Sequence, residues 1–161
     1  MTKQISMFFA SIAALFLASC GQGDVLMVNE AVVNLSPVDG NPSSGYFTVH
    51  GGKEDVTLLA VTADDTMRME MHETVEEDGV SKMQTLNKIA VPAGGTVKFE
   101  AGGKHLMIWG VGSSSLKRGT LRMIFIFSNN DRIQVDAVIN KIGGAATAAE
   151  DNGEEEAHHA G

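Results

Sequence analysis

A chain of 161 residues with 43% hydrophobic and 20% charged residues has the profile of one folded domain, which excludes an intrinsically disordered protein. Twelve Lys and Arg against 20 Asp and Glu leave a net charge of -8, the wrong sign for binding a nucleic-acid phosphate backbone. The single Cys excludes an internal disulfide, a CxxC redox pair and a Cys-rich zinc or iron–sulfur centre.

The N-terminus reads as an address. Lys3 precedes an apolar stretch, Ile5 to Ala18, too short for a transmembrane helix and of the right length for a secretory core. Leu17-Ala18-Ser19-Cys20 follows, and it resembles a bacterial lipobox, in which cleavage leaves the Cys lipidated as the first residue. Residues 1–19 are therefore expected to be a lipoprotein signal peptide, with Cys20 the lipidation site and 20–24 a short linker. Gly21, and not Asp, follows the Cys, a pattern that in Gram-negative lipoproteins goes with the outer membrane. The expected location is the periplasm or cell envelope, on a lipid anchor.

Residues 25–142 read as one β domain. Strands are expected at 25–33, 45–50, 56–61, 67–76, 80–86 and 105–111, with no helical period between them. Val97 and Phe99 alternate with Thr96, Lys98 and Glu100, and Leu121, Met123, Phe125 and Phe127 line one face of a longer strand. Ile133, Val135 and Ala137 return after Asn129-Asn130-Asp131; a three-residue loop at 129–131 would set Phe127 against Ile133 and Phe125 against Val135. Short strands separated by Gly- and Pro-bearing turns imply an antiparallel sandwich or barrel. From Gly143 the composition shifts to Gly, Ala and acid, so 143–161 is expected to be a disordered tail. Its His158-His159 pair among carboxylates is an N/O donor set that can hold Cu(II) or Zn(II) weakly, or a solvated extension; the composition leaves both open.

Three His lie in the domain: His50, His72 and His105. Asp78-Gly79 marks a tight turn, and a loop centred there pairs Thr74 with Met83 and His72 with Thr85. His72 and Met83 then share a sheet face as diagonal neighbours. His105-Leu106-Met107 puts a second imidazole and thioether on one face, delivered by a Gly102-Gly103 turn. Two imidazoles and two neutral thioethers form a soft donor set that selects Cu(I) or Ag(I) over hard ions. A blue-copper centre needs a Cys thiolate, which the domain lacks.

The spacing His72-x10-Met83-x21-His105-x-Met107, with His72-Glu73-Thr74-Val75, Glu77-Asp78-Gly79-Val80 and Pro92-Ala93-Gly94-Gly95 around it, resembles the signature of the periplasmic copper chaperone family PCu(A)C. The resemblance covers residues 25–140. It implies a cupredoxin-like Greek-key β-sandwich or barrel that binds one Cu(I) per domain through His72, Met83, His105 and Met107. It also implies delivery to the dinuclear copper centre of respiratory cytochrome c oxidase, directly to an oxidase subunit or through a thioredoxin-like assembly factor. Copper buffering or resistance, and a structural outer-membrane sandwich, are the rival readings. An enzyme is not expected, since thiol chemistry lacks a second Cys and a copper oxidase lacks a second redox centre.

Other residues have plainer readings. Met67, Met69 and Met71 alternate onto the face opposite His72 and read as packing, as do Met27 and Met123. His50 reads as structural or solvated. Trp109, two residues past Met107, would shield the ion or simply pack. Glu70, Glu73, Glu76, Glu77 and Asp78 read as a solvated charge cluster or as a field that steers a basic partner.

Overall fold

A computed structural model describes residues 25–141, so the expected signal peptide at 1–19, Cys20, the expected linker up to residue 24 and the expected tail with His158 and His159 lie outside the described residues. The elements in order are β1 (Met27–Leu35), β2 (Ser43–His50), β3 (Val56–Thr62), β4 (Arg68–Glu77), β5 (Val80–Leu86), β6 (Ile89–Val91), β7 (Thr96–Phe99), β8 (Lys104–Trp109), α1 (Ser113–Arg118), β9 (Thr120–Phe127) and β10 (Arg132–Lys141). The strands follow the path β5-β4-β8-β2-β1-β10-β9-β3-β6, with β7 also beside β2. This folds over itself as the expected all-β, cupredoxin-like sandwich. One ladder departs from the antiparallel expectation: β1 and β10 run parallel, with Val32 opposite Val138 and Leu35 opposite Lys141.

Alternation builds the core. Leu121, Met123, Phe125 and Phe127 of β9 are all fully buried, as are Phe47 and Val49 of β2 and Leu106 and Ile108 of β8. Phe47 stacks on Phe99 at 4.0 Å between centroids and meets Phe125 edge-on at 4.8 Å, so β2 and β7 face β9 across the sandwich.

Local structure corrects the sequence expectation at four points. The β9–β10 register is displaced by two residues: Phe125 faces Ile133 and Met123 faces Val135. Asn130 takes a left-handed φ of 69°, and the Phe127 and Asn130 amides bond to the carbonyls of Asp131 and Phe127, so the loop holds Ser128, Asn129 and Asn130. A slip of two leaves each side chain on its own face, which is why hydrophobic alternation does not distinguish the two registers. Strand β6 has only three residues, too few to show a period.

The helix α1 is the third correction. Gly112 offers it no side-chain cap, and Asp65 supplies one from a distant loop, its carboxylate accepting the Ser115 amide at 2.7 Å. Gly119, with φ of 74°, closes the other end by donating its amide to the Ser115 carbonyl. Among the described residues no helix is long and apolar enough to cross a membrane.

The fourth correction concerns Met67. It lies before β4, 86% exposed, and does not pack into the core as expected; its side chain lies against Gly110. Met71 is buried in the core and Met69 packs against it, both as read from alternation.

Candidate metal centre

Two turns deliver the site. Asp78 and Gly79 both have positive φ, 54° and 74°, the signature of a two-residue hairpin turn whose twist suits the strands it joins. That turn sets the β4–β5 register, with Thr74 opposite Met83 and His72 opposite Thr85, as expected from the sequence. On the other side of β4, strands β7 and β8 run successively along β2. Phe99 pairs with Phe47, whereas Leu106 pairs with Gly45, so residues between them are looped out of the ladder. The loop bends at Gly102, where φ is 81°, and the Gly103 carbonyl then accepts the Thr74 amide at 3.1 Å. β8 thereby leaves the line of β7 and pairs with β4.

This pairing puts His72 directly opposite His105 and Glu70 opposite Met107. The two imidazole centroids lie 6.1 Å apart with the rings 27° from parallel. Because paired and i±2 residues share a face, His72, His105, Met83 and Met107 all belong to the outer face of the β5–β4–β8 ribbon. Leu106, Ile108 and Met71 take the opposite face and anchor the ribbon in the core. Both imidazoles are buried, Met107 is half-buried, and Met83 is 56% exposed on the edge strand.

Each ring is held by one nitrogen. His105 donates Nδ1–H to the Gly103 carbonyl at 3.0 Å, the same oxygen that ties the loop to β4. A neutral imidazole that donates from Nδ1 keeps its lone pair on Nε2. His72 contacts the Glu70 carboxylate through Nε2 at 3.0 Å, and its Nδ1 is buried with no partner. A buried polar atom without a partner costs about 1–3 kcal/mol, so such an atom calls for a function. Among the described residues no three His, Cys, Asp or Glu side chains converge as a metal-binding group. The face offers thioether sulfur beside the imidazoles, and that donor set fits a soft monovalent cation such as Cu(I).

Sequence reasoning missed what surrounds the rings. Glu70 is not a free member of a solvated cluster: its second oxygen lies 3.4 Å from Arg68 Nη1, and the Arg68 guanidinium sits 3.8 Å over the Trp109 ring. The signal that could have found these residues is spacing, since Arg68, Glu70 and His72 fall on one face at intervals of two. Glu73 is also engaged, accepting Lys104 Nζ at 2.6 Å and Gln84 at 3.3 Å. The hydrogen bond from Lys104 holds its carboxyl below the usual range, against the opposing effect of burial. His50 is structural, with Nε2 3.2 Å from Asn29 Oδ1 and Nδ1 3.4 Å from Thr96 Oγ1. Met123 is fully buried in the core.

Comparison with known proteins agrees with this architecture. The family described as "Putative lipoprotein LpqE-like" matches residues 26–139. No curated protein matches the chain in sequence. Among solved structures, the copper-bound PCuAC domain from PmoF2 is 14% identical, covers 74% of this chain and 97% of its own, and superposes with a TM-score of 0.56. The apo PCuAC domain from PmoF1 is 17% identical over 74% of this chain and 96% of its own, with a TM-score of 0.54. The solution structure of CuI-DR1885 from Deinococcus radiodurans is 19% identical over 76% of this chain and 83% of its own, with a TM-score of 0.59. At these identities the likeness is one of fold, and the fold is that of PCuAC domains.

Proposed function

The chain belongs to the LpqE-like family, and from that premise we propose that it is an extracytoplasmic Cu(I)-binding metallochaperone, anchored by a lipid on Cys20. The ligands are His72, Met83, His105 and Met107, holding one Cu(I). The observation that carries this reading is the cross-strand pair of His72 and His105, each with a nitrogen uncommitted, on a face that also bears two methionines. Solved structures of the same fold include a copper-bound PCuAC domain and CuI-DR1885, which supports the choice of metal.

The arrangement suits cargo and not a resident cofactor. Thioethers need no deprotonation and are not lost to disulfides in an oxidising compartment. The buried imidazoles give the site its depth, while Met83 on the open edge gives an acceptor a place to begin ligand exchange. The acceptor is the dinuclear copper centre of respiratory cytochrome c oxidase, reached directly or through a thioredoxin-like assembly factor. Titrating the soluble domain with Cu(I) against a chromophoric chelator tests the reading. One equivalent withdrawn per domain supports it, and no withdrawal would leave a structural sandwich. A deletion strain with normal oxidase assembly at limiting copper would favour buffering over delivery.

A further inference from the structure

Resting on the ligand assignment just proposed, we infer that Glu70 is a positioning residue that holds His72 in its Nε2–H form, so that Nδ1 is the nitrogen His72 offers to copper. Glu70 accepts the His72 Nε2–H on Oε2 at 3.0 Å, which leaves the lone pair of a neutral ring on the buried, unpartnered Nδ1. The carboxylate is itself restrained. Arg68 lies 3.4 Å from its other oxygen, and the Arg68 guanidinium stacks on Trp109 at 3.8 Å. Trp109, Arg68, Glu70 and His72 thus form a continuous chain along the outer face of paired strands, with Arg68 directly opposite Trp109 and His72 opposite His105.

A carboxylate is suited to the task because one oxygen accepts from the imidazole while the other is ion-paired with the guanidinium. The result is an asymmetric site. His105, its Nδ1–H held by the Gly103 carbonyl, offers Nε2, whereas His72 offers Nδ1. Outer-shell partners of this kind fix the ring form and orientation of metal-bound His, and their loss commonly lowers metal affinity by about ten- to hundredfold. Trp109, which the sequence left between shielding and packing, then has a specific part as the platform that keeps Arg68 against Glu70.

The test is ring-nitrogen NMR on the apo domain, with Glu70→Ala and Arg68→Ala beside the unmodified chain. The expected apo spectrum has His72 protonated at Nε2 and bare at Nδ1. Glu70→Ala should release that preference and lower Cu(I) affinity by about tenfold or more with the thermal midpoint kept. Arg68→Ala, which leaves the acceptor in place, should produce a smaller change of the same sign. A His72 ring protonated at Nδ1 in the unmodified apo domain would overturn the inference. So would a Glu70→Ala variant whose ring form and affinity match the unmodified chain. Failure of the unmodified domain to bind Cu(I) would instead remove the ligand assignment, and the apo nitrogen shifts would still decide whether Glu70 sets the ring form.

Discussion

His72 and His105 are direct partners across the β4–β8 ladder, 6.1 Å apart between ring centroids, and each is tied by a different ring nitrogen. The Gly103 carbonyl ties one and the Glu70 carboxylate the other. Each ring is thus oriented by one hydrogen bond on paired strands, without an ion. Such preorganisation lowers the ordering cost of binding.

Met83 and Met107 should separate binding from folding. Met83 lies on the exposed edge strand and Met107 on the half-buried outer face, so neither supports the core. Replacing either by Leu should lower Cu(I) affinity by about tenfold or more, equivalent to ~1.4 kcal/mol. Stability should change by less than about 0.5 kcal/mol for Met83→Leu, as for other exposed substitutions. Met123→Ala is the control: in a fully buried position it should cost about 2–5 kcal/mol of stability. Chelator competition and urea melts on the three variants measure both quantities.

The cap on α1 should make part of the fold acid-sensitive. The Ser115 hydroxyl and amide, with the Arg118 charge, hold the Asp65 carboxyl below its ordinary value of 3.8. A lowered folded-state value means the unfolded chain binds the proton more readily, so this contribution is present above pH 3.8 and is lost as pH falls below it. Hydrogen exchange should show the amides of residues 113–118 losing protection on acidification before those of β9. Gly112→Ala should mimic the effect at neutral pH, since a Cβ there would collide with the Asp65 carboxylate. Uniform protection across α1 and β9 in both experiments would contradict the cap.

The tail should bind a different oxidation state from the domain. His158 and His159 among carboxylates offer nitrogen and oxygen, which favour Cu(II), whereas the domain offers sulfur. Truncation after Ile142 should abolish Cu(II) binding, followed by electron paramagnetic resonance, and leave Cu(I) affinity unchanged. A full-length chain with no Cu(II) signal would make the tail a solvated extension. Loss of Cu(I) on truncation would show that the four-ligand set is incomplete.

Cys20 should carry the membrane anchor. Mass spectrometry of the cell-derived protein should find it acylated, and Cys20→Ser should leave the chain uncleaved or release it in soluble form. An unmodified Cys20 on a soluble protein would refute the anchor.

What could be read in advance depended on how strongly each segment is constrained locally. Asp78-Gly79 admits one compact turn, so the pairing of Thr74 with Met83 followed directly and put His72 and Met83 on one sheet face. Asn129-Asn130-Asp131 is less restrictive, and two registers two residues apart satisfy the same apolar faces. The helix α1 escaped because Ser113 to Arg118 is too short to show a period and takes its cap from Asp65, 50 residues away. At the site, residue type and alternation announced two imidazoles and two thioethers on one face. They did not announce the Glu70–His72 contact, because adjacent acidic residues on a strand look alike until the rotamers choose between solvent and a ring nitrogen.

We propose that one Cu(I) is held by two thioethers and two imidazoles on the β5–β4–β8 face. X-ray absorption at the copper edge of the Cu(I)-loaded domain tests it most directly. The expected spectrum has a reduced edge with both sulfur and nitrogen scatterers in the first shell, and loses sulfur in a Met83→Leu, Met107→Leu double variant. A first shell without sulfur, or one unchanged in the double variant, would contradict it.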